Sequence, residues 1–407
     1  MKRRVVVTGI GVVSCVGLGV EAFCESLRNG VNGKARVTAF DPAGFEQNYV
    51  CEVKNFDPAS HVRSQSPDRL GRSAQFAIAG ARMALADAGI DADAVRGAPI
   101  PSLFGTTDGE SAPFEELTRQ YHLSGMTEFE PDLLRLVPAQ EIALAVAREF
   151  DLVGEALVLS TACAAGSYAV GIGYDMVSAG ETEIAICGGS DSICRKTFAG
   201  FYRLGTMSPD NCRPFDIDRH GILTGEGSAV LILETLEGAR RRGARIYAEV
   251  LGYAINCDAD HMVAPNRDSI AACMRLAHDR AGIAAADVDF VCMHGTGTRA
   301  NDITESQAVR MVFGDHNPPV SSIKSSLGHG MGAASTFGAA ACCLAIDRGF
   351  LPPTINLERQ DPDCEVDVVA NTARTAWPRV VQNDAFAFGG NNAITLFGRV
   401  DAQPACA

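Results

Sequence analysis

Short apolar runs alternate with amphipathic stretches along most of the chain. The apolar runs are typical of buried strands, whereas apolar residues at helical spacing in 72–88, just before Gly89, predict a helix. A polar, proline-containing segment at 34–68 and a loop-rich segment at 196–220 predict irregular connections. Strands and helices that alternate in this way indicate an α/β fold. Predicted strands lie in 4–13, 101–109, 156–159, 183–189, 228–234, 248–254, 290–298, 320–334 and 385–397.

The order of the predicted elements occurs twice. In 156–177 a buried strand, a turn of small residues and a helix follow one another, and 320–346 has the same plan. This repetition predicts a duplicated fold with a first half at 1–247 and a second half at 248–407. We expect the functional site where the two halves meet.

Composition narrows the class of protein. Of the 407 residues, 47% are hydrophobic and 21% are charged, which is ordinary for a soluble globular enzyme. The formal net charge of −14 argues against nucleic acid or an anionic membrane as the main partner, and no apolar run is long enough to span a bilayer. The 14 cysteines are scattered without metal-ligand spacing, so we expect reduced core thiols, a cytoplasmic protein and no metal site.

Cys163 stands at the turn between the buried strand Ala156–Leu159 and the helix predicted from Ser167. The positive end of a helix dipole lowers the pKa of a thiol and leaves backbone N–H groups free for an anion. Glycine and alanine neighbours let a substrate approach the backbone. Cys163 is thus a candidate nucleophile, and the alternative is a structural cysteine of the core.

Two histidines follow predicted strands of the second half. His294 begins a His-Gly-Thr-Gly-Thr segment, and His329 lies five residues after Lys324 in a Gly-His-Gly turn. With Cys163 they admit two chemistries: protease-like activation of the thiol by one histidine, or acyl transfer followed by carbon–carbon bond formation. Because each histidine has its own strand-end loop, the sequence favours the second.

Four segments together resemble the signatures of the β-ketoacyl synthases, the elongating condensing enzymes of the thiolase superfamily. They are STACAAG at 160–166, HGTGT at 294–298, KSSLGH at 324–329 and FGGNN at 388–392. The resemblance implies a thiolase-like duplicated α/β fold, layered α-β-α-β-α with two mixed five-stranded sheets. It also implies that no cofactor is needed, because the acyl carrier protein substrate brings its own phosphopantetheine.

The resemblance assigns roles to individual residues. Cys163 would take the acyl chain as a thioester, and the N–H groups of Cys163 and Phe388 would form the oxyanion hole. His294 and His329 would stabilise the enolate formed when malonyl-carrier protein loses CO₂. Lys324 would support the two histidines.

Further residues follow from the same resemblance. Glu305 would be a supporting carboxylate, and Phe388 would gate the acyl pocket with Phe201. Thr296 and Thr298 would hydrogen-bond the pantetheine arm. The remaining substrate-binding candidates are Gly389 and Gly390.

Two departures from the family pattern point to a specialised pathway. Arg-Ala-Asn-Asp at 299–302 replaces the usual Pro-x-Gly-Asp, and Ala387 stands where the gating loop usually has glycine. Asn301-Asp302 resembles ketosynthases of polyene or polyketide pathways. Alanine has fewer allowed backbone conformations than glycine, so we expect the gating loop to move differently.

The resemblance also implies partners. An acidic acyl carrier protein would dock on a local basic patch, and the chain would pair with itself or with a chain-length-factor-like homologue. Two alternatives remain: a non-elongating partner subunit, and another acyltransferase of the thiolase superfamily. Cys163 and both histidines argue against the first, and the pair of histidines with Lys324 argues against a thiolase, which would also keep the cysteine. The candidate docking residues are Arg63, Arg69, Arg72 and Arg203.

Overall fold

The computed structural model describes residues 2–125 and 130–400. The ends of the two predicted halves, residue 1 and residues 401–407, lie outside the described residues. The strands are β1 (Val5–Ser14), β2 (Gly17–Leu18), β3 (Ala35–Arg36), β4 (Tyr49–Val50), β5 (Ser102–Gly105), β6 (Ala156–Leu159), β7 (Ile184–Asp191), β8 (Gly227–Thr235), β9 (Ala248–Cys257), β10 (Phe290–Cys292), β11 (Pro319–Ser321), β12 (Phe350–Leu351), β13 (Asp367–Val368), β14 (Arg374–Thr375), β15 (Val380–Phe386) and β16 (Asn391–Gly398). The helices are α1 (Val20–Arg28), α2 (Arg72–Asp87), α3 (Ser111–Ser124), α4 (Pro131–Leu134), α5 (Glu141–Phe150), α6 (Ala165–Ala179), α7 (Arg195–Arg203), α8 (Leu236–Arg241), α9 (Arg267–Ala281), α10 (Arg299–Phe313), α11 (Lys324–Leu327) and α12 (Ala334–Arg348).

The main sheet has the strand order β13-β11-β10-β15-β16-β9-β1-β8-β7-β5-β6. The strands from the first half of the chain, β1 and β5–β8, form a mixed set of five, as expected. The second half of the chain contributes six strands, because the very short β13 is added to the expected five. The two sets are not separate sheets, which corrects that detail of the expectation. Val5–Val7 of β1 pair with Ala248–Val250 of β9 and join the halves edge to edge.

Helices and sheet form the expected five layers. The buried helices α6 and α12 pack in the central core, α2 and α5 pack on the first set of strands, and α9 and α10 pack on the second. Residues 334–346 of α12 are all buried, and a helix that is apolar all round belongs inside a core. No helix in the part of the chain that the structure describes is long and apolar enough to cross a membrane.

The duplication is visible at the two central helices. A 3₁₀ turn at Ala162–Ala164 precedes the 15 residues of α6, and a 3₁₀ turn at Met331–Ala333 precedes the 15 residues of α12. The first residue of each turn has a left-handed backbone, with φ of 51° at Ala162 and 53° at Met331. Two turn–helix units with the same left-handed first residue therefore pack against each other, although the short helix α11 stands between β11 and the second turn.

The segments predicted as irregular contain ordered elements. α7 forms inside the 196–220 region, and β3 pairs with β4 inside 34–68. Phe198 of α7 is fully buried against the rings of Phe40 and Phe45. The aromatic side chains of the two segments pack against each other, and this contact between distant parts of the chain is not visible in either segment alone.

Candidate active site

One cavity of about 740 Å³ is lined by residues from all four predicted motifs, whereas Lys324 lies behind His294 and does not line it. Cys163, His294, His329 and Phe388 all line it. Cys163 comes from the turn between β6 and α6, and the histidines follow β10 and α11. The three residues therefore meet in one cavity, as predicted, although His329 follows the short helix α11 and not a strand end.

Cys163 is buried, with 6% of its surface exposed. Burial raises the pKa of the Cys163 thiol to about 12, and the positive charge of Lys324 offsets only part of the rise. The expectation of a lowered thiol pKa is thus wrong for the resting protein, because desolvation outweighs the place at the start of a helix. Asp191 and Asp108 raise this pKa further. The resting nucleophile is a thiol that must lose its proton as it attacks.

The hydrogen bonds of His329 fix its tautomer. Its Nδ1 accepts a hydrogen bond of 3.1 Å from the backbone N–H of Met331. Burial and the charge of Lys324 hold the pKa of His329 well below its usual range, so the ring is neutral at neutral pH. A neutral ring that accepts at Nδ1 has its proton on Nε2. His329 is therefore a hydrogen-bond donor at Nε2.

His294 has the same tautomer for a different reason. Lys324 Nζ lies 3.4 Å from His294 Nδ1 and donates a hydrogen bond of 2.5 Å to the His294 carbonyl oxygen. An ammonium group has only donors, so His294 Nδ1 accepts and Nε2 has the proton. Burial, Lys324 and His329 lower the pKa of His294 well below its usual range. The two rings lie 5.5 Å apart, which lets two N–H donors serve one oxygen.

Glu305 clamps the backbone at His294. Its carboxyl oxygens accept hydrogen bonds from the N–H groups of His294 at 2.7 Å and Gly295 at 2.8 Å. Glu305 is fully buried on α10, and burial raises the pKa of its carboxyl to about 7. The supporting position predicted for Glu305 agrees with these contacts.

Sequence reasoning missed two polar residues at the start of α10. Asn301 lines the cavity and donates to Glu305 at 3.1 Å, and Asp302 accepts from the N–H of Gly297 at 3.2 Å. Asp302 is also ion-paired with the buried Arg219 at 3.2 Å. The signal was present, because Asn301-Asp302 was recognised as a departure from the family pattern.

Four of the five predicted substrate-binding residues line the cavity. Thr296 and Thr298 both line it, and their hydroxyl oxygens lie 2.8 Å apart. The rings of Phe201 and Phe388 are 6.0 Å apart on its wall. Of the two candidate glycines, Gly390 lines the cavity. The other, Gly389, forms the turn of the gating loop.

The gating loop has its left-handed residues at glycines. Gly389 and Gly390 have φ of 82° and 80°, values that a side chain disfavours. Ala387 is extended, with φ of −133° and ψ of 152°, so its side chain is tolerated in this conformation. That Ala387 changes the motion of the loop stays a prediction.

A second loop at the entrance was also missed. His261 Nδ1 accepts hydrogen bonds from the N–H groups of Val263 and Ala264, which forms a tight turn. The N–H of Gly389 donates a hydrogen bond of 2.8 Å to the Met262 carbonyl and so links this turn to the loop at 387–391. Only the polar character of 258–266 pointed to it, and polar loops are common.

The four candidate docking arginines differ in accessibility. Arg63, Arg69 and Arg203 are exposed. Arg72 donates to the buried Glu226 at 2.7 Å and to the Val53 carbonyl at 2.9 Å. The Arg72 guanidinium is therefore engaged inside the protein, and we leave it out of the docking patch. Among residues 2–125 and 130–400, no group of three or more His, Cys, Asp or Glu side chains could hold a metal ion.

Comparisons with known proteins agree with the fold. Sequence models described as "Beta-ketoacyl synthase, N-terminal domain" and "Beta-ketoacyl synthase, C-terminal domain" match residues 2–239 and 247–358. The fold defines a thiolase-type acyltransferase. The chain belongs to the β-ketoacyl synthase family.

Individual relatives come from two kinds of biosynthesis. The chain is 37% identical to a "Putative polyketide beta-ketoacyl synthase 1" of Streptomyces cyaneus, over 98% of this chain and 99% of the relative. It is 35% identical to a "3-oxoacyl-[acyl-carrier-protein] synthase 2" of Synechocystis sp., over 97% and 98%. A solved structure described as "The ishigamide ketosynthase/chain length factor" is similar over 98% of this chain and all of the other. The TM-score is 0.96 at 50% identity.

Proposed function

We propose that the chain catalyses the decarboxylative condensation of an acyl thioester with malonyl-acyl carrier protein. The observation that supports this most directly is the pairing of a buried thiol with two neutral imidazoles in one cavity. The contacts at each Nδ1 leave each Nε2 as a donor. Such donors stabilise negative charge that develops on a carbonyl oxygen.

The first half-reaction loads the enzyme. Cys163 Sγ attacks the acyl carrier thioester, a new thioester forms on Cys163, and the carrier thiol leaves with the proton. We assign the oxyanion of this step to the N–H groups of Cys163 and Phe388. No metal or free cofactor enters, because the phosphopantetheine arm arrives with the carrier.

The second half-reaction makes the carbon–carbon bond. Malonyl-carrier protein loses CO₂, and its enolate oxygen accepts hydrogen bonds from Nε2 of His294 and His329. The enolate carbon attacks the acyl-Cys163 carbonyl, and β-ketoacyl-carrier protein forms. The Cys163 thiolate leaves and takes up one proton. Lys324 and Glu305 hold His294 in place through the contacts described above, and Thr296 and Thr298 bind the pantetheine arm.

We further propose a specialised polyene or polyketide pathway. The similarity to the ishigamide ketosynthase/chain length factor supports this, as does Asn301 at the cavity wall. Full restoration of growth in a strain that lacks its general elongating synthase would contradict the assignment.

A second ketosynthase-type chain is the proposed structural partner, either another copy or a chain-length-factor-like homologue. The edge strand β6 ends the sheet with Leu157 41% exposed, and a free strand edge is a surface for pairing. Tyr121 and Leu123 of α3 are also exposed apolar side chains. The molar mass of the purified chain in solution, alone and coexpressed with the homologue, separates the two cases.

We also propose that the boundary between the two halves of the fold lies between residues 247 and 248. We propose that the protein acts in the cytoplasm.

A reconstituted reaction tests the proposed function. Acyl-carrier protein and malonyl-carrier protein are incubated with the chain, alone and with the homologous partner. We expect β-ketoacyl-carrier protein and CO₂ in equal amounts. Release of CO₂ without a condensed product would instead support a decarboxylating or partner role.

The docking patch is tested by charge reversal. Arg63→Glu with Arg69→Glu should slow loading from an acidic carrier about tenfold at low salt, with a smaller effect at high salt, because salt screens exposed charges. The matched control, Arg240→Glu with Arg275→Glu, changes the net charge equally on α8 and α9. Equal loss in both double variants would remove the patch from the account.

A further inference from the structure

A buried carboxyl group of β15 has no part in the chemistry above. Asp384 is 3% exposed, and its Oδ1 accepts a hydrogen bond of 2.8 Å from Gln382 Nε2. Within the described residues its Oδ2 receives no donor. A side-chain hydrogen bond with Glu305 is one of the influences that raise the pKa of Asp384. A buried polar atom without a donor requires an explanation.

The sheet register brings Asp384 to the active site. β15 runs parallel to β10, with Asn383 opposite Cys292. Asp384 is therefore one residue beyond the last pair and lies beside the segment that leads into His294. Glu305 accepts hydrogen bonds from the next two backbone N–H groups, those of His294 and Gly295, so both carboxyls lie at the same stretch of backbone.

Neighbouring hydrogen bonds show which carboxyl retains a proton. His278 Nε2 bonds Gln382 Oε1 at 2.7 Å, which turns the Gln382 amide nitrogen to Asp384 and gives Asp384 one donor. Glu305 receives three N–H donors, from His294, Gly295 and Asn301. Donors favour the ionised form of a carboxyl, and two adjacent buried carboxylates repel each other.

We propose that Asp384 is a carboxylic acid in the working enzyme, that its Oδ2–H donates to Glu305, and that it thereby positions His294. Asp384 is a positioning residue, since it acts through Glu305 and touches no reacting atom. The effect on catalysis rests on the proposed function, whereas the shared proton does not. The proton satisfies Oδ2 and leaves Glu305 ionised to clamp the His294 backbone.

The electrostatics agree with this geometry. Burial raises the pKa of Asp384 well above its usual range, and the charge of Glu305 adds to the rise. The charge of Lys324 lowers the pKa of Glu305 but is not among the main influences on the pKa of Asp384. The titratable groups that face Asp384 lie on four packed elements. They are Glu305 of α10, Cys292 of β10, Cys342 of α12, and Cys273 and His278 of α9.

Ionisation of Asp384 should loosen the clamp. Above its raised pKa, two carboxylates would face each other and Glu305 would move away from Asp384. Malonyl-carrier decarboxylation by the wild-type chain should then fall reversibly at alkaline pH. Asp384→Asn cannot ionise, and its amide N–H can replace the acid as donor to Glu305, so its alkaline fall should be absent or shifted.

Two variants and a spectrum test the proposal. Asp384→Asn should decarboxylate within about threefold of the wild-type rate at pH 7, because a donor to Glu305 is kept. Asp384→Leu, of similar size but without a donor, should decarboxylate about 100-fold more slowly, while acyl loading on Cys163 stays within about threefold. The infrared difference between the wild-type chain and Asp384→Asn should contain a carboxylic acid C=O band at pH 7.

Each outcome decides the proposal. Equal loss of decarboxylation in Asp384→Asn and Asp384→Leu, or loss of loading together with decarboxylation, would overturn the positioning role. Absence of the acid band would overturn the shared proton even if Asp384→Leu fails to fold. Because the band is read without substrate, it holds or fails independently of the condensing activity.

Discussion

Replacing Cys163 with alanine should abolish formation of β-ketoacyl-carrier protein, with a loss of at least about 10³-fold. No other group that lines the cavity combines nucleophilicity with a place at the start of α6, so the acyl chain has nowhere to form its thioester. The loss should include loading, measured as transfer of acyl groups from carrier protein. Cys24→Ala is the matched control, because Cys24 is a buried thiol of α1 outside the cavity.

The same variant separates the enzyme from its alternatives. Cys163→Ala keeps the two histidine donors, so it should still release CO₂ from malonyl-carrier protein. Undiminished elongation by Cys163→Ala would show that the thiol is structural. A chain that never loads, with or without Cys163, would indicate a non-elongating partner subunit.

Removing either imidazole should affect the other half of the reaction. His294→Ala and His329→Ala should each slow decarboxylation by about 10²- to 10³-fold, the usual cost of losing one preorganised donor to a developing oxyanion. Loading on Cys163 should be much less affected, because it uses the backbone N–H groups. The rates of CO₂ release and of acyl transfer, measured on the same preparations, show which of the two half-reactions each variant slows. The exposed His122→Ala is the control.

One result would contradict the assignment of decarboxylation to the histidines and of loading to Cys163. Loss of loading in either histidine variant, with decarboxylation retained, would assign that histidine to activation of the thiol, as in the protease-like alternative. The raised pKa of the Cys163 thiol makes this comparison informative, since the thiol proton must be transferred during attack.

The sequence was sufficient to predict which residues the structure brings together in the cavity, where the prediction depends on local pattern. Cys163, His294 and His329 each follow a predicted strand and have small neighbours, and strand ends of a duplicated fold converge. Lys324 and Glu305 came from the family resemblance, and the structure brings both to His294. Their roles remain proposals.

The sequence could not predict properties that arise from burial and from distant contacts. The Cys163 pKa depends on how completely the cavity excludes solvent, which no local motif encodes. The contact between Asp384 and Glu305 joins residues 79 positions apart, through a parallel strand pair whose register is a tertiary property. Arg72 looked like a surface charge because its partner, Glu226, is distant in sequence.

In the fold, too, local patterns predicted some features, whereas others depend on contacts between distant residues. The alternation of strands and helices predicted the layers and the duplication. The joining of the two strand sets rests on three residues of β1 and three of β9, too short a contact for any pattern to indicate. Helix α7 was missed because its aromatic side chains pack against residues distant in sequence, Phe198 against the 34–68 segment and Phe201 against Phe388.

Intact-protein mass is the measurement that tests the central claim most directly. The chain is mixed with a panel of acyl-carrier proteins, and malonyl-carrier protein is then added. We predict a mass gain of one acyl group that is absent in Cys163→Ala and that disappears on the chase as β-ketoacyl-carrier protein forms. An acyl group that loads without Cys163, or that stays on the chain after the chase while CO₂ is released, would contradict the account.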